Sequence, residues 1–317
     1  MRALLGDWNR FWFAPISTAT LALLRVAIGF LSLAWGLSLT RDVLTFLASD
    51  GIQPKQPPYS DVVGPWHTWG LLQFVGGKAV IIALLVVLII ASIALTIGFL
   101  TRVAAILVVV GLVSLQRRNP FVFNSGDALL RDLAFYLALA PSGAAYSLDR
   151  WRRAKESFWE APARAAWPLR LFQIQFTIVY LAAVWGKVRG TTWNDGTAVS
   201  YALRIGDYVR LPVPTFITTN LFISNVLTIG TVAIELALAV LVWNRKLRPW
   251  VLLLGVSLHL GIEYSMRVGF YSLAILALYL AYDPPDRVTA WMLVLREHLG
   301  RSRLTARGAP LPPASRP

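Results

Sequence analysis

The stretch YLAAVWGKVRGTTWNDG, residues 180–196, runs from an apolar segment into Lys187 and then into a loop. Gly186, Gly190 and Gly196 allow tight backbone paths around the lysine, and Trp185 and Trp193 can wall off an apolar pocket. An amine kept dry in such a pocket gives up its proton more readily, which makes Lys187 a candidate general base. The alternative is a lysine at a helix end that reaches up to water.

Two further groups carry possible chemistry. His259 and Glu263 are four residues apart, so on a helix they share one face, where the carboxylate can orient the imidazole. The second group is QRRNPFVFNSGD, residues 116–127, which sets Arg117, Arg118, Asn119, Asn124, Ser125 and Asp127 around Pro120 and Gly126. That is more hydrogen-bonding capacity than a tight interhelical turn requires. Asp127 can equally cap the helix that follows. The candidate catalytic residues are therefore Lys187, His259 and Glu263, and the candidate substrate-binding residues are Arg117, Asn119, Asp127, Trp193 and Glu235. His67, His259 and His298 are scattered without metal-ligand spacing, so no metal site is expected.

The elements that must position these residues are apolar helices. Hydrophobic residues make up 56% of the chain and charged ones 15%, which departs from soluble composition and points to an all-α, polytopic bundle in a membrane. Candidate spans fall at 17–38, 79–100, 102–118, 128–141, 168–187, 221–243, 249–266 and 268–283, about eight in all. Residues 1–16 read as an interfacial amphipathic segment, 284–300 as an amphipathic surface helix with Val288, Trp291, Met292 and Leu295 on one face, and 301–317 as a disordered tail. The formal charge of +14 resides mainly in loops, at 142–167, 244–248 and the tail. This pattern reads as topology with the termini cytoplasmic, not as a nucleic-acid surface. Lys187 then faces the outside. No signal-peptide layout precedes the first span, and the absence of cysteine excludes thiol chemistry and disulfides.

Ionisable residues inside a span cost about 2.5–3.5 kcal/mol each on insertion scales, so each asks for a partner or a role. Arg25, Arg131, Asp132, Glu235, His259 and Glu263 are in that position. Arg131 and Asp132 are expected to neutralise each other or a neighbouring helix, and Arg25 is expected to pair with a carboxylate such as Glu235.

The order of RRNPFVFNSGDALLRD, YSLDRW, LRLFQIQFTIVYLAAVWGKVRGTTWNDGTA, VAIELALAVLVW and SLHLGIEY resembles the horizontally transferred transmembrane (HTTM) domain family, bacterial relatives of the vitamin K-dependent γ-carboxylase membrane domain. The most specific part is Gln173 or Gln175, Tyr180, Lys187, Trp193 and Gly196, together with the Arg-Asn-Pro loop. The resemblance implies that Lys187 is the base that deprotonates a hydroquinone, with Arg117, Asn119, Glu235 and His259 lining the cavity. In the carboxylase, oxygen attacks the resulting anion, and the oxygenated intermediate takes a proton from a protein glutamate that is then carboxylated. A quinone or quinol is the implied small molecule, and a bacterial plasma membrane the implied location. This sequence departs from the carboxylase pattern at the start of the fourth span, where Gly126 and Asp127 stand in place of a histidine, and no counterpart of the large lumenal region is expected after the last span. Two functions follow as expectations: a membrane protein acting on a quinol-type substrate through a lysine base, or a non-enzymatic membrane partner, immunity or assembly factor that keeps the bundle with a degenerate site.

Overall fold

A computed structural model describes residues 2–52, 70–75, 77–119 and 121–306 of the chain. His67, Pro120 and residues 307–317 of the expected disordered tail lie outside the described residues. The long helices are α1 (Arg2–Phe13), α2 (Ala19–Leu39), α3 (Lys78–Ile97), α4 (Thr101–Arg118), α5 (Ser125–Leu139), α6 (Trp167–Lys187), α7 (Leu221–Leu241), α8 (Arg248–Ser265), α9 (Tyr271–Tyr279) and α10 (Pro285–Ala306). Among the described residues the one sheet is an antiparallel pair, β1 (Pro15–Ser17) with β2 (Ala163–Ala165).

Helices form at all eight places where spans are expected, but four of them, α2, α3, α6 and α7, are long and apolar enough to cross a membrane. The other four fall short for identifiable reasons. Helix α4 carries Arg102, Arg117 and Arg118, and α8 carries Arg248, His259 and Glu263. Helix α5 has 15 residues, about 22 Å, against a hydrocarbon core of about 30 Å. Helix α9 has nine residues before a 3-10 turn.

Helix ends follow from sequence. Gly98 closes α3 in the left-handed region at φ 72°, a conformation open to glycine at little cost. Asn124 and Asp127 form a reciprocal capping box at the start of α5, and the Asn220 side chain accepts from the Ile223 N–H at the start of α7. Pro168 and Pro249 sit in the first turns of α6 and α8, where a missing N–H costs nothing.

Pairing of β1 with β2 puts the starts of α2 and α6 at one end of the bundle. Arg170 Nε donates to the Phe11 carbonyl at 3.2 Å, the Phe11 and Trp243 rings are 6.2 Å apart, and Val288 and Met292 of α10 pack with Ala19, Ala22 and Ala145. The arginine-rich segments around 150, 164 and 245 therefore gather at that same end, and Lys187 terminates α6 towards the other. Outward-facing Ile82, Val86, Ile90 and Ile93 on α3 and Val103, Ile106 and Val110 on α4 are exposed, as suits contact with lipid tails.

The expected Arg25–Glu235 pair is not formed. Arg25 is 1% exposed and donates to three backbone carbonyls, through Nη1 to Ser142 at 3.0 Å and Ala145 at 3.2 Å and through Nη2 to Tyr146 at 2.7 Å. The turn at 142–147 supplies these acceptors ready-made, whereas Glu235 has a closer cation. Arg131 and Asp132 are ion-paired at 3.3 Å, and Arg131 also donates to Gln116 Oε1.

Asp149, just after that turn, receives hydrogen bonds from the Leu100 N–H at 2.9 Å, the Thr101 N–H at 2.8 Å and the Thr101 hydroxyl at 2.7 Å. Burial pushes its carboxyl up, but the bonds from Thr101 and Leu100 and the nearby Arg153 charge outweigh that and hold it below the usual carboxylate range. A folded value below the unfolded one means that the stabilisation is complete above the unfolded pKa of about 3.9 and is lost as pH falls through the folded value. Wild-type protein in detergent is thus expected to lose thermal stability below about pH 4, while Asp149→Asn starts lower and falls less steeply. Parallel pH profiles for the two proteins would show that Asp149 makes no such contribution.

Candidate functional site

Lys187 is the last residue of α6, but its ammonium does not reach up to water. The side chain is 19% exposed, and Nζ lies 2.8 Å from both Oε1 and Oε2 of Glu235, whose side chain is 4% exposed. Only the Oε1 contact has hydrogen-bonding direction; Oε2 lies at equal distance but off line and makes no hydrogen bond. Glu235 is fourteen residues from the start of α7, about 21 Å along the axis. Helix α7 therefore runs well beyond the end of α6, and the ion pair is sunk beside it.

Residues 188–220 fold over this step. After a short helix at Thr191–Asn194, those at Ala198–Ala202 and Thr215–Thr219 pack against α7, tied by the Ser224 hydroxyl to the Gly196 carbonyl at 3.0 Å and by the Val199 N–H to Thr228 Oγ1 at 3.2 Å. The same segment joins the end of α8 through the Arg210 N–H to the Ser265 carbonyl at 2.9 Å. Gly196 has φ 71°, and a Cβ there would run into Asn225, so this corner requires glycine. The fold of the cap brings the Trp193 ring to 5.0 Å from Lys187 Nζ, a cation–π contact.

A second buried polar line adjoins the pair. His259 is 1% exposed; its Nε2 lies 2.7 Å from the Tyr180 hydroxyl, which lies 2.8 Å from the Tyr279 hydroxyl. Gly255 makes room for the Tyr279 hydroxyl, since a Cβ there would overlap it. His259 Nδ1 has no hydrogen-bond partner among the described residues. Lys187 interacts electrostatically with His259, and Glu235 with Tyr180, Tyr271 and Tyr279, so the ion pair and the tyrosine–histidine line form one cluster.

The expected His259–Glu263 partnership is replaced. Glu263 forms an ion pair with Arg210 of the cap at 2.5 Å, and His259 takes a tyrosine hydroxyl instead. Both residues lie along α8, but a guanidinium gives the carboxylate a stronger partner than a neutral ring nitrogen.

Asn119 and Asp127 hold local structure away from the Lys187–Glu235 pair. The Asn119 side chain donates to the Phe46 carbonyl at 2.9 Å, and Asp127 caps α5 and accepts from Trp35 Nε1 at 2.9 Å. Arg117 interacts electrostatically with Arg131 and Asp132. This island touches the lysine cluster through an intermediary. Gly126 packs against the backbone of Tyr271, Asn124 Nδ2 donates to the Val268 carbonyl at 3.2 Å, and the Tyr271 ring lies 5.8 Å from that of His259.

Tyr180 was legible as part of the lysine motif, but its place in the cluster was not, and neither Tyr271 nor Tyr279 carries a sequence signal beyond aromatic enrichment. The motif glutamines divide their tasks: Gln173 bonds Arg170 and the Ala281 carbonyl, and Gln175 accepts from the Tyr136 hydroxyl at 2.8 Å. Two recesses open elsewhere, one of about 490 Å³ on the outer face of α6 beside Trp185 and one of about 240 Å³ in the cap between Ser200 and Thr218. Neither is lined by Lys187.

A family model described as the HTTM domain matches residues 13–286. The chain belongs to the HTTM domain family. No curated protein and no solved structure matches it. With four apolar helices long enough to cross a bilayer, this HTTM protein is a multi-pass integral membrane protein. The matched region of the HTTM domain takes in every residue of the Lys187 cluster.

Proposed function

We propose that this HTTM protein accepts a proton from an acidic, lipid-soluble hydroxyl of the quinol type at the Lys187–Glu235 pair. The observation that carries this is the pair itself, held at 2.8 Å within the bundle and beside His259. Its geometry alters the expected role of the lysine. An amine already bonded to a carboxylate is not a free base, but the two groups together share one proton between two basic sites. Whichever atom holds it, one basic site is vacant, so the pair can take the substrate's proton. The substrate becomes an anion and the pair gains one positive charge, balancing it in place. Lys187 and Trp193 then bind the anion and its ring, and His259, held by the Tyr180 hydroxyl, adjoins the pair as a hydrogen-bonding group.

All eight helices from α2 to α9 cross the membrane in this reading, the short ones α5 and α9 surrounded by longer neighbours. By the positive-inside rule the arginine-rich end with both termini is cytoplasmic and Lys187 lies towards the outside of a bacterial plasma membrane. The likeness to the γ-carboxylase membrane domain extends to the proton-abstraction step only.

The test is the lipid extract of wild type and Lys187→Ala purified in mild detergent and analysed by mass spectrometry. A quinone retained by wild type and lost from a folded Lys187→Ala is the expected result. Absence of quinone from both proteins, with both folded and a stable second protein co-purifying, would reject the proposal in favour of a membrane partner, immunity or assembly factor.

A further inference from the structure

At the arginine-rich end, Arg170 in the first turn of α6 and Arg248 at the start of α8 converge with Arg245. Phe11, Trp243 and Tyr282 form a row beneath them, with successive ring centroids 6.2 Å apart. The Arg170 guanidinium lies 4.7 Å over Phe11 and that of Arg248 5.4 Å over Tyr282. Trp243 is fixed by its Nε1 bond to Thr177 Oγ1 at 2.9 Å.

None of the three arginines has an ion-pair partner among the described residues. Their mutual electrostatic interaction is repulsive, Arg170 being acted on by both Arg248 and Arg245, and Arg248 by Arg245. Their donors are far from used up. Each guanidinium has five N–H groups; Arg170 spends two, on Phe11 and Gln173, Arg248 spends one, on Val242, and Arg245 makes no side-chain bond to the described residues. Two partly buried guanidiniums, Arg170 and Arg248, with the exposed Arg245 beside them, spare donors and no ion-paired carboxylate among the described residues, call for an anion. The N-terminal ends of α6 and α8 add to the same positive potential.

We propose that this cluster binds the phosphodiester headgroup of an anionic phospholipid. The site lies at the end of a membrane-crossing helix, where headgroups are, and α1 beside it exposes Leu4, Leu5 and Trp8. Apolar Trp250, Leu253 and Leu254 are exposed on α8 within two turns of Arg248, giving the acyl chains a path along the helix that a free phosphate would not use. Arginine suits the role because its planar fork binds phosphate through two parallel hydrogen bonds.

The experiment uses the full chain in mild detergent with phosphatidylglycerol or phosphatidylcholine at equal concentration, read by native mass spectrometry. Wild type retains phosphatidylglycerol preferentially, Arg245→Gln lowers that retention about fivefold, and Arg170→Gln/Arg248→Gln abolishes the preference. Arg296→Gln, on α10 outside the cluster, leaves it unchanged. Arg245 makes no bond on which folding depends, so that variant decides the matter if the double variant does not fold. Equal retention of the two lipids by wild type, or an Arg245→Gln protein that binds as wild type does, overturns the proposal. Displacement of phosphatidylglycerol by an equal concentration of inorganic phosphate overturns the lipid assignment and makes the cluster a site for free phosphate.

Discussion

Lys187→Met is expected to destabilise the bundle by about 3–5 kcal/mol, because it leaves the Glu235 carboxylate buried without its cation. Glu235 makes no other side-chain ion pair among the described residues, and its side chain is 4% exposed, so water cannot readily take over. The double variant Lys187→Met/Glu235→Leu is expected to recover most of the loss, since replacing both members of a buried pair by apolar groups of similar volume is often neutral or stabilising. Thermal unfolding of the three proteins in detergent measures the cycle. A surface lysine reaching for water predicts something else, a loss for the single variant of under about 1 kcal/mol and no rescue. The recovered double variant also separates fold from chemistry: it is folded, yet the pair that would accept a proton is gone. Retained quinone chemistry in that protein would leave the lysine motif as a structural corner.

The helices of this protein were legible because long apolar runs end in glycine, proline and capping residues, and each run became a helix. The segments of α5 and α9 were both expected as spans, yet at 15 and nine residues neither is long enough to cross by itself. Lys187 stood out through its glycines and tryptophans, and Trp193 does lie over its ammonium. What failed was partnership. A buried cation and a buried carboxylate on different helices can be matched only when the relative depth of those helices is known, and α7 overshoots α6 by an amount no pattern records. Arg25 was assigned a carboxylate because charges seek charges, yet the turn at 142–147 offers three carbonyls. Similarly, the four-residue spacing of His259 and Glu263 fixed neither partner once Arg210 arrived from the cap. The polar group at 116–127 meets the lysine cluster through Tyr271, which packs against Gly126 and lies beside the His259 ring.

Arg25→Met is the second large effect, and it arises far from the lysine cluster. The guanidinium is the donor for the carbonyls of Ser142, Ala145 and Tyr146, and hydrogen bonds to a charged group contribute about 1.5–3 kcal/mol each. Removing a desolvated charge returns part of that sum, which leaves an expected loss of about 3–5 kcal/mol. Arg25→Lys keeps the charge, but one nitrogen cannot span three acceptors, so an intermediate loss is expected. Gly98 seals the site from α3: a Cβ there would lie 2.7 Å from Arg25 Nη1 and 2.9 Å from its Cζ. Unfolding in detergent measures these losses; a change below about 1 kcal/mol for Arg25→Met would mean that the turn holds its shape unaided. Arg25 and Asp149 also interact electrostatically and act on one turn, Arg25 from its carbonyls and Asp149 by tying it to the start of α4. Arg25→Met and Asp149→Asn should therefore cost less together than separately, because the first to loosen the turn removes what the second would have weakened. Lys187→Met, at the other end of the bundle, should add to either in full.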